Sequence, residues 1–188
     1  MTSPTQRDGS AGIQARQQVL LWMMAGDQAC LQRAFIRGLH YYQRALTLAQ
    51  SARLKDLEAR VCRDLAYVYL HSGASAKGLA LAHQGLSLAP GDPEVELGLY
   101  VNQAGAYLTL HDFPRCHDAL RTALRRFEEH YPRLRGASFR MVATMAGLVK
   151  MERQVRRVVD LLESGVNPER IQVVIELARP YWLPAERS

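Results

Sequence analysis

The sequence predicts an all-α protein, and three observations carry that expectation. Apolar residues recur at helical spacing over nearly everything after Ala15, and no stretch of length alternates as a half-buried strand would. The periodic stretches are separated by short breaks at His71-Ser72-Gly73, Pro90-Gly91-Asp92-Pro93 and His111-Asp112. The pattern also recurs: residues of equivalent character return after 38, 39 or 40 positions.

The first residues, MTSPTQRDGSAG, have neither the basic-then-apolar order of a signal peptide nor a helical stripe, so residues 1–14 read as a disordered leader. The most apolar run that follows, Val19 to Met24, stops after a turn and a half and is far short of the ~20 residues that span a bilayer. In the next unit, Leu57 to Leu70 places Val61, Leu65, Val68 and Tyr69 on one face. Ser75 to Leu88 then repeats apolar residues at Leu79, Ala82 and Leu86 before the Pro-Gly-Asp-Pro break. This is a pair of helices of about fourteen residues each. A second pair runs from Glu94 to Leu110 and from Phe113 to Phe127, with Cys116, Leu120, Ala123 and Leu124 inward. A third pair occupies Ser138 to Lys150 and Met151 to Glu163.

Superposing the second helices aligns Gly78 with Cys116 and Val155, Ala82 with Leu120 and Val159, and Gly85 with Ala123 and Leu162. Tyr42 and Ala45 fall 40 residues before Ala82 and Gly85, which adds a copy in front. With Leu65, Ala66 and Tyr69 in the first helix, Gly73 at the turn, Gly78, Ala82 and Gly85 in the second helix and Pro90 closing it, residues 59–96 resemble the tetratricopeptide repeat family. The next copy keeps Ala104, Tyr107 and Ala123, and the third keeps Ala143. The period is about four residues longer than usual for the family, which is similar to the long repeats of bacterial regulatory and sensor proteins. The resemblance implies a helical-hairpin solenoid of three to four repeats over residues 15–165, in units near 19–56, 59–96, 97–135 and 136–165. A C-terminal capping helix at 166–179 and a tail at 180–188 complete the chain.

Composition narrows the function. The chain has 188 residues, 48% of them hydrophobic and 22% charged, an ordinary balance for a soluble protein. Cys30, Cys62 and Cys116 are odd in number and far apart, which points to free thiols in a reducing cytoplasm. No phosphate-binding loop, His-Glu-x-x-His or Cys-x-x-Cys pattern occurs, so no enzyme activity, cofactor or metal is expected. The densest polar cluster, His111, Asp112, Cys116 and His117, reads as structure, with Asp112 as a helix cap and Cys116 facing the paired helix.

The family binds peptides and proteins in the concave groove lined by its first helices. Carried onto this sequence, that groove would present Arg60, Arg63, Tyr67 and Leu70 with His71 at the rim, then Val101, Asn102, Gly105 and Leu108, then Ala137, Arg140, Met141 and Thr144. Arg60 and Arg63 beside Tyr67 and Asn102 could hold a carboxylate through paired, charge-assisted bonds. The competing reading is that both arginines pair with Asp56, Glu58 or Asp64 on their own helix.

Charge is concentrated elsewhere. Residues 1–120 carry a net +1, residues 121–157 a net +7 and residues 158–188 a net −2. Arg121, Arg125, Arg126, Arg133 and Arg135 form a basic patch, but few aromatics are interleaved and no helix-turn-helix is visible, so a solvated face or an acidic protein partner is favoured over nucleic acid. At the C-terminal end, IQVVIELA is apolar on nearly all sides. Val173, Leu177, Tyr181 and Trp182 therefore suggest association, possible as a homodimer. The expectation is a cytoplasmic, non-catalytic scaffold or sensor module that binds a protein or peptide. A regulatory domain of a bacterial transcription or signalling protein, and a nucleic-acid-associated protein, are the alternatives.

Overall fold

The computed structural model describes residues 4–88, 91–130 and 149–165, apart from 151, 154, 158 and 162. Among the described residues every regular element is helical. In order they are α1 (Pro4–Leu31), α2 (Phe35–Ser51), α3 (Lys55–His71), α4 (Ser75–Ser87), α5 (Pro93–Thr109) and α6 (Phe113–His130). Further helical residues lie between 149 and 163. The chain divides into two compact units, Met1–Asn102 and Gln103–Ser188. The C-terminal helix expected at 166–179, the tail, and most of the third pair's first helix lie outside the described residues.

The first unit is built around α3, which is buried on two sides. Leu57, Val61, Leu65 and Val68 pack with Val19 and Met23 of α1 and Tyr42, Ala45 and Ala49 of α2. The smaller Ala59, Cys62 and Ala66 face the other way and pack with Ala82 of α4 and Val95 and Leu99 of α5. Large side chains on one face and small ones on the other let α4 and α5 approach closely. A Cβ at Gly78 would lie 3.0 Å from the Ala66 carbonyl oxygen, and one at Gly85 would lie 2.6 Å from Leu99 Cδ2. Gly78 and Gly85 thus sit where the helices cross closely. Glu58 joins three helices, its Oε1 accepting from Gln50 Nε2 of α2 at 3.1 Å and Gln84 Nε2 of α4 at 3.0 Å.

The connections repeat. Arg33, Arg53, Gly73 and His111 each have φ between 55° and 79°, in the left-handed region. At each turn the next amide reaches back five residues: Ala34 N to Ala29 O, Leu54 N to Ala49 O, Ala74 N to Tyr69 O and Asp112 N to Tyr107 O. These bonds cap orphan carbonyls at the helix ends. Helix α5 starts differently, with Asp92 Oδ1 accepting from the amides of Glu94 at 3.0 Å and Val95 at 3.4 Å and with Pro93 in the first turn.

The leader is corrected. Residues 4–14 belong to α1, although the sequence reading treats 1–14 as disordered. Pro4 suits a first helical turn, and Ala11, Gly12, Ile13 and Gln14 are exposed.

The second unit holds the end of α5, α6 and the helical residues of 149–163. Ala104, Phe113, Cys116, Leu120, Ala123 and Val155 are buried. Asp112 Oδ1 accepts from the Arg115 amide at 3.3 Å and so caps α6, as the sequence predicted. Tyr69 and Tyr107 are both partly buried.

Candidate functional site: the outward face of α3

Residues 60, 63 or 64, 67 and 71 fall on one side of α3 because successive helical turns bring every third or fourth residue round to the same face. Tyr67 is 42% exposed there. Its ring lies 4.0 Å from that of His71, whose Nδ1 is 2.8 Å from the Tyr67 carbonyl oxygen. Phe35 of α2 stacks on His71 with centroids 6.4 Å apart. The Tyr67 ring thus rests on His71, which Phe35 backs in turn.

The arginines are engaged within the protein. Arg60 Nη2 bonds Asp92 Oδ2 at 2.6 Å, which ties α3 to the cap of α5, and its side chain remains 44% exposed. Burial works to raise the Asp92 carboxyl, but the bonds from Arg60 and from the Val95 and Glu94 amides outweigh it and hold Asp92 below the usual carboxylate range. Arg63 Nε bonds Asp64 at 2.8 Å, and its stem lies so close to Gly98 that a Cβ there would be 2.6 Å from Arg63 Cδ. Burial pushes the Asp64 carboxyl up, and Arg63 only partly offsets this. Asp56 pairs with Arg16 of α1, which holds its carboxyl below the usual range.

Several residues expected in the groove are used by the fold. Asn102 is buried and its Nδ2 donates to the Arg63 carbonyl at 2.7 Å, joining α5 to α3. Leu70 packs against α4 at Gly78, and Leu108 is buried. Val101 is half-buried and Gly105 buried. Of the residues read as a carboxylate grip, Arg60 pairs with Asp92, Arg63 with Asp64 and Asn102 with a backbone carbonyl, while the Tyr67 ring lies against His71. Arg140 and Thr144 lie outside the described residues. Among the described groove residues Arg60 and Tyr67 are exposed, and His71 is half-buried beside them.

Beneath this face is a cluster that the sequence did not disclose. Tyr42 of α2 is buried and its hydroxyl donates to Asp27 of α1. Burial and that bond together push its ionisation far above the usual phenol range. Cys30 lies beside it, its thiol raised by burial against the opposing effect of the Tyr42 bond. A second such feature is Trp22 of α1, with the Arg44 guanidinium 4.3 Å above its ring. The signal for both was pairing between helices, which a one-helix periodicity does not contain.

In the second unit, Arg125 and Arg126 lie 3.9 and 3.0 Å from Glu129. Arg121 and Arg156 line a cleft of about 360 Å³ together with Glu152, Asp160 and Glu163. His117 Nε2 is 3.2 Å from Glu152 Oε1 at its wall. The described part of the basic segment is therefore interleaved with carboxylates. Arg133, Arg135, Val173, Leu177, Tyr181 and Trp182 lie outside the described residues. Among the described residues no group of three His, Cys, Asp or Glu could hold a metal ion, and no helix is long and apolar enough to cross a membrane.

Comparison with protein-family models, with curated proteins and with solved structures gives no match to this chain.

Proposed function

We propose that this chain is a non-catalytic binding module, a long-period array like the tetratricopeptide repeats, which takes a protein or peptide against the outward face of α3. The observation that carries the reading is Tyr67, 42% exposed yet braced by His71 and Phe35. An aromatic side chain fixed before contact loses little rotamer freedom on binding, and such anchors dominate interface energetics. Arg60 lies two turns away on the same helix, and its half-exposed guanidinium favours an acidic group on the partner. The array reading is supported by the four turns that share one backbone geometry and by the small residues at Gly78, Ala82 and Gly85. The three free thiols suit a cytoplasmic setting.

The test starts from a partner purified from native extract. Tyr67→Ala should weaken its binding at least tenfold, and Arg60→Ala should weaken it less and mainly at low salt, with helicity by circular dichroism unchanged in both. Equal affinity of the Tyr67→Ala protein moves the binding site off this face.

A further inference from the structure

Equivalent positions on α1 and α3 lie side by side. The turn residues Arg33 and Gly73 are forty apart, and Arg16 of α1 pairs across to Asp56 of α3, again forty apart. By that offset Leu20, Met24 and Leu31 stand beside Arg60, Asp64 and His71, in the next row of the face that holds Tyr67. The row on α1 is apolar where that on α3 is polar, and it is open: Leu31 is 79% exposed, Met24 65% and Leu20 38%. Exposure falls steadily along the helix, so the row starts at a rim and sinks away from it.

At the rim the chain turns into α2, where Ile36 is 87% exposed. Phe35 stacks on His71, which meets the Tyr67 ring, so a run of rings joins this turn to the face of α3. Arg33 and Arg37 are exposed here, and among the described residues neither has an ion-pair partner. The matching turn after α3 has Gly73 and Ala76 in place of Arg33 and Ile36, and its cation, Lys77, lies over the Tyr69 ring. A turn of this geometry therefore forms without a free cation or a large apolar side chain at those places, and the first turn displays both to the outside.

We propose that this row and its rim take a segment of a partner protein that is apolar in the middle and acidic at both ends; the inference rests on the reading of α3 above and extends that face onto α1 and its turn. Leu31, Met24 and Ile36 cover the apolar side chains. Arg33 and Arg37 meet carboxylates at one end, and Arg60, beside Leu20, meets them at the other. Asp27, exposed between Met24 and Leu31, places a carboxylate in the middle of the row, which turns acidic residues of the segment away to its ends. From Leu20 to Leu31 the row is about 16 Å long at 1.5 Å per residue, which an extended segment covers in about five residues. A flat bilayer surface meets only the rim, whereas a peptide follows the row down α1.

Selection from a random peptide display library, with the full chain as bait, tests this. Selected sequences should carry Leu, Ile or Phe between Asp or Glu residues, and a synthetic copy of the commonest serves as the probe. Arg33→Gly with Arg37→Ala should raise its Kd at least tenfold while the melting temperature stays equal or rises, since glycine suits the left-handed backbone at Arg33. Leu31→Ser with Ile36→Ser should weaken it as much, and Arg33→Glu with Arg37→Glu as bait should select Lys or Arg at one end instead. A peptide weakened by Tyr67→Ala but indifferent to all the turn variants overturns this inference and leaves the reading of α3 standing; indifference to Tyr67→Ala as well overturns both. Enrichment of no sequence, enrichment of sequences without acidic ends, or binding to phosphatidylserine vesicles that the turn variants abolish also overturns it.

Discussion

Tyr42 lies across Gly26 so closely that a methyl group at Gly26 would sit 2.7 Å from two atoms of the ring. The contact lets the Tyr42 hydroxyl reach Asp27 on the same helix. Gly26→Ala must displace a buried ring with no space to receive it, and should cost about 1–3 kcal/mol as overpacking does. Tyr42→Phe keeps the ring and removes one hydrogen bond, a loss of about 1–2 kcal/mol. Urea unfolding of the two variants gives that order, and a neutral Gly26→Ala would show that α1 and α2 are not in this contact.

Opposed carboxylates give the first unit a shaped pH response. Asp56 and Asp92 ionise below their ordinary range, so each contributes stability above the unfolded value of 3.8 that is lost as pH falls through the lowered value. Asp64 is shifted the other way: its charged form costs stability, and the cost is relieved as pH falls through its raised value toward 3.8. Stability should rise gently on mild acidification and fall below about pH 4. Asp64→Asn should flatten the rise. Asp92→Asn keeps a good cap and should lose only about 0.5 kcal/mol at neutral pH, since the pair with Arg60 is screened, whereas Asp92→Ala should lose about 1–2 kcal/mol. Melting temperatures between pH 3 and 7 distinguish these outcomes.

The thiols should react in a fixed order. Cys62 and Cys116 are fully buried, and burial pushes Cys62 up to about 12 and Cys116 higher still. Cys30 is only partly buried. Alkylation of the folded protein at pH 8, read by mass spectrometry, should mark Cys30 first and reach the other two only in denaturant. Early labelling of Cys62 would contradict the packing of α3 on α5.

Three turns hold side chains where glycine fits better. A non-glycine residue in the left-handed region carries about 1–2 kcal/mol of strain, and glycine adds about 0.5–1 kcal/mol of unfolded-state entropy. Arg53→Gly should therefore stabilise by about 0.5–1 kcal/mol, and Gly73→Ala should destabilise by about 1 kcal/mol. Thermal unfolding of the two variants should shift in opposite directions.

The helices from α2 to α6 were legible because each carries its own periodic stripe and each break has a local cause. The Asp112 cap and the small residues Gly78 and Gly85 were legible too, whereas Asp92 was read only as part of a break and not as the cap it forms. The turns at Arg33 and Arg53 were not, and at His111 only the break was, since nothing in an arginine or histidine announces a left-handed backbone. The candidate site was half legible. Tyr67 was found, but the partners of Arg60 and Asn102 lie 32 and 39 residues away in sequence. Same-helix spacing offered Asp56, Glu58 and Asp64 as ion-pair partners; Arg63 took Asp64, while Asp56 took Arg16 from another helix.

The turn repeated at Arg33, Arg53, Gly73 and His111 also bears on how the chain reaches its fold. Each joins neighbouring helices with a short connection, and α1 with α2, α2 with α3 and α3 with α4 supply the main packing among these four helices. A chain whose contacts are so local closes only small loops, which keeps the search brief. The first unit should fold rapidly by adding hairpins outward from α3, and under mechanical load from its ends it should come apart in helix-sized steps.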